Sequence, residues 1–186
     1  MAGFGLDNLR SIETDKNFAL DVEKLEQAII DDLAQGNMPC AVVATTGTTG
    51  TTAIDPVAAI ADVAQKYGLW LHVDAAMAGS WMWEGIENAN SLVLNPHKWL
   101  GVVFDCSLFY IQDSEHLIRV MSTNPSYLQT AVDDQAKNYR DWGIPLGRRF
   151  RALKLWCLIR DQGIRGLQER IRRALQNAQW LKEQIE

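Results

Sequence analysis

Leu69-Trp70-Leu71-His72-Val73-Asp74 is a short apolar run that ends on a carboxylate, and its reading decides the fold. Upstream, Asp55-Pro56 supplies an N-cap and a first-turn proline. The helix they open places Ile60, Val63 and Ala64 inward and stops at Gly68. Before that helix, Cys40-Ala41-Val42-Val43-Ala44 reads as a buried strand feeding a Thr/Gly loop over Thr45 to Thr52. Strand, helix and strand in this order predict a parallel pair joined by a right-handed crossover. Asp74 then stands at the C-terminal end of a strand, the edge at which open α/β sheets bind ligands.

Further outward, Asp21 to Gln35 carries Leu25, Ala28, Ile29 and Leu33 at helical spacing and stops at Gly36. Ser91-Leu92-Val93-Leu94 is another strand, leading into a turn that carries Lys98. Leu100 to Phe104 and Ser107 to Ile111, divided by Asp105-Cys106, are expected to form a hairpin or a bent strand pair. Ser122 to Ile144 is poor in apolar residues and reads as a long mobile loop. From Arg149 onward two helices follow, broken near Gly163. The second carries Leu167, Ile171, Leu175, Ala178 and Leu181 on one stripe.

The 186 residues suffice for one core, and 47% hydrophobic with 22% charged content is that of a globular domain. A net charge of -5 disfavours nucleic acid and anionic membrane surfaces as partners. There is no run long and apolar enough to span a bilayer. Met1 to Asp7 lacks a basic start and an apolar stretch, so the expected location is the cytoplasm. Cys40, Cys106 and Cys157 are odd in number and widely spaced, which predicts buried thiols rather than a disulfide framework. Three cysteines and three histidines without ligand spacing predict no metal site, His72, Asp74 and His97 included.

Asn95-Pro96-His97-Lys98-Trp99, downstream of His72-Val73-Asp74-Ala75-Ala76, pairs a lysine in a turn with an acid at a strand end. Pyridoxal phosphate chemistry requires such a pair: an amine that forms a Schiff base and a carboxylate that keeps the ring nitrogen protonated. On these motifs the chain resembles the group II pyridoxal phosphate-dependent decarboxylases, most closely the aromatic L-amino acid decarboxylases of bacterial type. The resemblance implies an α/β fold, the large domain of the fold type I (aspartate aminotransferase-like) enzymes, with a mainly parallel sheet and flanking helices. It also implies that residues 1–186 are a partial large domain. The family's N-terminal segment, with its histidine stacked on the cofactor, and its small C-terminal domain fall outside it.

Residue by residue, the resemblance makes Lys98 the Schiff-base lysine and Asp74 the partner of the pyridinium nitrogen. Ala76 lies against one face of the ring, Thr49 lies near the cofactor and its lysine, and Asn95 and His97 lie near the phosphate. Bland readings stand beside these. Lys98 could be a solvated surface charge, Asp74 the cap of a turn, Thr49 part of a tight loop and His97 an orienting residue behind the site. Tyr127, in Asn124-Pro125-Ser126-Tyr127-Leu128, matches the loop tyrosine that protonates the substrate carbon after carbon dioxide leaves. Related aldehyde-forming enzymes usually carry phenylalanine there, so Tyr127 favours decarboxylation; by itself it is only a loop aromatic. Ile144-Pro145-Leu146-Gly147-Arg148-Arg149-Phe150-Arg151 is a further signature, its arginines read mainly as structural and interface residues, with a cofactor or substrate contact as the lesser reading.

Two departures bear on specificity. The segment joining Asp74 to Lys98 is shorter than the family pattern around Ser80-Trp81-Met82-Trp83, and Met77 replaces a tyrosine common in eukaryotic relatives. The resemblance thus implies decarboxylation of an amino acid such as tryptophan, DOPA, tyrosine or phenylalanine by a homodimer in which the Tyr127 loop reaches the neighbouring site. Two other readings stay open: a non-catalytic piece that pairs with a full-length relative, and a decarboxylase of an acidic amino acid.

Overall fold

Asp21 accepts hydrogen bonds from the backbone N–H of Glu23 and Lys24 (3.0 and 3.1 Å), which starts helix α1, Val22–Ala34. A computed structural model of the chain describes residues 5–79, 84–123, 125–129 and 137–186. Gly36, at φ 81°, takes the left-handed conformation that ends the helix, as its sequence position predicts. Strand β1 (Ala41–Thr45) follows, then α2 (Val57–Tyr67), closed by Gly68 at φ 65°, and β2 (Trp70–Ala75). A single 3-10 turn, Ile86–Asn88, leads into β3 (Ser91–Leu94), whose bounds are those expected. Strand β4 (Leu108–Ile111) completes a four-stranded mixed sheet in the order β1-β2-β3-β4, with β1, β2 and β3 parallel.

Two compact units divide the chain. The first comprises residues 1–101 and 107–110, the second residues 102–106 and 111–186. In the first, alternation along the strands turns Val42, Ala44, Leu71, Val73 and Ala75 onto one face. There they pack with Leu25 and Ile29 of α1 and Ile60, Ala61 and Ala64 of α2. The opposite face carries Val43, Trp70, His72 and Asp74. The second unit holds α3 (Ser114–Met121), the 3-10 turns Ser126–Leu128 and Tyr139–Trp142, and α4 (Arg151–Ile185), kinked at Gly163 (φ 64°, ψ 172°) where the break was expected.

Three expectations are corrected. Leu100 to Phe104 forms no strand, so there is no hairpin with Leu108–Ile111; its backbone turns instead, Gly101 N–H reaching the Lys98 carbonyl at 3.1 Å. Asp55 does not cap α2, whose N-cap is Pro56 without a side-chain bond. Its two oxygens accept from Leu20 N–H and Thr45 N–H, both at 2.7 Å, fastening the segment before α1 to the end of β1. The long-range bonds win because each satisfies a partly buried amide that α2 could not reach. Finally, only Cys106 is buried; Cys40 and Cys157 are exposed. The described part of the loop expected over 122–144 includes the 3-10 turns Ser126–Leu128 and Tyr139–Trp142, while Asn124 and residues 130–136 lie outside the described residues, as do residues 80–83 of the shortened segment.

Candidate active site at the sheet edge

The parallel register sets the site. Thr45 pairs with Asp74, Asp74 with Val93, and Ala75 with Leu94, so the C-terminal ends of β1, β2 and β3 lie side by side. The loops leaving them are tied together. Thr46 N–H donates to the Asp74 carbonyl at 2.9 Å, and Asn95 N–H donates to the Ala76 carbonyl at 3.2 Å. Close approach is enforced by glycine. A Cβ on Gly79 would lie 2.4 Å from Leu94 Cβ, and one on Gly47 2.5 Å from Ala78 Cβ. Neither loop could sit so near its neighbour with a larger residue.

Asp74 is half-buried, and its Oδ1 accepts from Ala76 N–H at 3.0 Å, which fixes the carboxylate's orientation. The loop after β3 turns at once. Lys98 N–H bonds the Asn95 carbonyl at 2.9 Å, Pro96 is buried, and the Lys98 side chain is exposed. Asn95 is held from the other side by Ser107, whose Oγ donates to Asn95 Oδ1 at 2.5 Å. His97 is partly buried next to it. Thr49 sits exposed at the tip of the loop after β1, which closes through the Thr46–Ile54 bridge and a Thr48–Thr51 hydroxyl contact of 2.7 Å.

Asp74, near the end of β2, and Ala76, Asn95, His97, Lys98 and Thr49, in the loops that leave the strands, therefore share one sheet edge. Tyr127 belongs to the second unit, where it is 79% exposed at the surface. Arg151, from the arginine-rich signature, is structural: its Nε and Nη2 contact Asp105 Oδ2 at 2.9 and 2.8 Å. That guanidinium holds the Asp105 carboxyl down at about 2.

Sequence reading passed over a neighbouring group. On the face of β2 that bears Asp74, His72 Nδ1 and Trp70 Nε1 both lie 2.8 Å from Ser91 Oγ. The signal was available in the alternation Trp70, His72, Asp74 along one strand face. Burial pushes the His72 imidazole below its ordinary value, opposed by the charge of Asp74. Among the described residues no group of three metal-ligating side chains occurs, and no helix is long and apolar enough to cross a membrane.

An exposed amine after one parallel strand and an oriented carboxylate on its neighbour are groups of the kinds that pyridoxal phosphate chemistry uses. The donor set fits the cofactor. The whole chain, residues 1–186, matches the family described as "Pyridoxal-dependent decarboxylase conserved domain". The chain belongs to the pyridoxal-dependent decarboxylase family.

Among curated relatives it is 43% identical to the aromatic-L-amino-acid decarboxylase of Drosophila lebanonensis, over 94% of this chain and 45% of that one. It is 44% identical to a phenylacetaldehyde synthase from a Rosa hybrid cultivar, over 92% of this chain and 36% of the relative. The solved structure of Catharanthus roseus tryptophan decarboxylase in complex with L-tryptophan superimposes with a TM-score of 0.88 at 38% identity, covering 97% of this chain and 40% of that one. The fold is thus that of the fold type I enzymes, and the chain spans less than half the length of these relatives.

Proposed function

We propose that the chain is the cofactor-bearing part of a decarboxylase that converts an aromatic L-amino acid (tryptophan, DOPA, tyrosine or phenylalanine) to its amine and carbon dioxide. The observation that carries this reading is the joining of the Asp74 strand end to the Lys98 loop through Asn95 N–H and the Ala76 carbonyl, at the C-terminal edge of adjacent parallel strands. Pyridoxal 5'-phosphate, when bound, supplies the electron sink for the carbanion left as carbon dioxide departs.

The residues divide the remaining work. Asp74, oriented by the Ala76 amide, holds a proton at the ring nitrogen by placing a negative charge beside it. Lys98 would hold the cofactor through its amine, the group able to condense with the cofactor's aldehyde. Ala76 keeps one ring face clear, while Asn95, His97 and Thr49 offer uncharged or cationic donors to the phosphate and the attachment point. Tyr127 delivers a proton to the substrate Cα from its hydroxyl. Since this chain's relatives include both a decarboxylase and an aldehyde synthase, overall identity does not separate the two outcomes, and Tyr127 carries the preference for the amine.

We place the protein in the cytoplasm as a homodimer, the state the resemblance implies, with these residues forming a partial large domain.

Titration of the purified chain with pyridoxal phosphate, followed by visible absorption, tests the reading. A stoichiometric band lost in Lys98→Ala is expected, and a panel of amino acids that includes glutamate then reads the substrate class. Absence of any Lys98-dependent band would overturn the assignment of the cofactor site to these residues.

A further inference from the structure

Strand register places Ser91 of β3 directly beside His72 of β2, and Ser91 is only 4% exposed. Its Oγ lies 2.8 Å from Trp70 Nε1 and 2.8 Å from His72 Nδ1. An indole N–H can only donate, so Trp70 occupies a lone pair of the serine oxygen. Among the described residues the hydroxyl makes no third contact. Its own proton then has one acceptor in reach, His72 Nδ1. An imidazole that accepts at Nδ1 carries its proton on Nε2 and is uncharged.

The surroundings act in the same direction. Val43 of β1 is the register partner of His72, and the Phe109 ring of β4 lies 6.3 Å away, centroid to centroid; both are apolar. From its own strand comes Asp74, one pleat along the same face. Among the described residues Asp74 is the charged group that bears on the imidazole, and it pulls toward protonation. Burial outweighs that pull.

We propose that Trp70 and Ser91 hold His72 as the neutral Nε2–H tautomer, which makes His72 a positioning residue for Asp74: an uncharged neighbour that leaves the carboxylate's charge for the cofactor nitrogen. The proposal rests on the role given to Asp74 above. A cationic imidazole on this face would neutralise part of that charge and weaken the carboxylate's hold on the ring proton. The direction of the relay is set at its far end, because tryptophan cannot accept.

Nitrogen NMR of the full chain labelled at its three histidines tests this, with His72→Gln assigning the signals. Wild-type His72 should show an acceptor-type Nδ1 and a protonated Nε2 across about pH 6–8. Ser91→Ala should mix the tautomers and move the titration midpoint up toward the ordinary histidine value, Trp70→Phe should weaken the bias, and Ser91→Thr should restore it. In parallel, Ser91→Ala should bind pyridoxal phosphate about tenfold more weakly while keeping the Lys98-dependent band.

A wild-type His72 that is charged at neutral pH or protonated at Nδ1 would overturn the proposal. So would a Ser91→Ala chain with unchanged tautomer and cofactor affinity. Should Ser91→Ala fail to fold, Trp70→Phe decides by the same two readouts. If the wild-type chain shows no Lys98-dependent band, the functional reading fails and the positioning role with it, whereas the spectra still report whether the relay sets the tautomer.

Discussion

In the unit that holds the sheet, Ile60, Val73, Ala44 and Ala75 have no exposed surface, whereas Ile164, Trp180 and Leu181 of α4 stand 72%, 61% and 52% exposed and Ile171 is that helix's buried residue. Both regions carry the apolar periodicity of their element. In the first unit each apolar face meets another: the inner faces of β1 and β2 meet α1 and α2. In the second, the stripe on α4 is formed but largely uncovered among the described residues. Periodicity says which residues share a face; it does not say what covers that face. The site candidates other than Tyr127 belong to the covered unit, where packing holds the strand ends in register.

The largest expected effect would break or confirm this contrast. Ile60→Ala should cost about 2–5 kcal/mol of stability through the cavity it leaves, and Leu181→Ala less than about 0.5 kcal/mol. Urea unfolding of the two variants measures both. A Leu181→Ala penalty as large as that of Ile60→Ala would mean that the α4 stripe is covered by another chain, which would sharpen the homodimer reading.

Next in size is Asp55→Ala. It strips two partly buried amides, Leu20 and Thr45, of their acceptor and should cost about 1–3 kcal/mol. Amide exchange should quicken at those two positions while the last turn of α2 keeps its protection. Unchanged exchange at Thr45 would show that Asp55 is no more than the cap its sequence position suggests.

Asp55 also marks where sequence reading stopped. Local signals were legible: Asp21 and Gly36 bound α1, Gly68 ends α2, β3 runs from Ser91 to Leu94, and Gly163 kinks α4. Each is decided by residues within a turn of one another. Asp55 next to Pro56 has the local chemistry of a cap, yet its partners include Leu20, far away in sequence. For Leu100 to Phe104, apolar content suggested a strand, but a strand exists only if a neighbour accepts its amides. The candidate site was legible to the extent that Asp74 and Lys98 each sit at a strand end. The Ser91 link between Trp70 and His72 was not, because it depends on the pairing register of two strands.

A smaller effect, of opposite sign, is expected at Thr46. Its side-chain oxygen is fully buried at the end of β1 and has no hydrogen-bond partner among the described residues. Thr46→Val replaces a desolvated hydroxyl by a methyl of nearly the same shape and should leave stability unchanged or raise it by up to about 1 kcal/mol. A clear loss in urea unfolding would mean that the hydroxyl has a partner in solution, a buried water being the simplest.

The smallest effect belongs to the second unit and to acid. Arg151 and, at 3.9 Å, Lys154 flank Asp105, and the guanidinium holds the carboxyl at about 2 against an ordinary value of 3.8. The unfolded chain therefore binds the proton first. Stability rises with pH through this window: the pair contributes fully above the ordinary value, and its contribution is lost as pH falls toward 2. Because the pair is partly exposed, salt should shrink the effect further. Arg151 is the first residue of α4, so amide exchange in that helix's first turn should quicken between about pH 4 and 2, and in Asp105→Asn it should be fast at every pH. Covered strands in the first unit provide the control: β2 amides should be indifferent to Asp105→Asn. Loss of β2 protection in that variant would mean that the two units do not unfold independently, and the contrast between them would then describe surface exposure rather than separate stabilities.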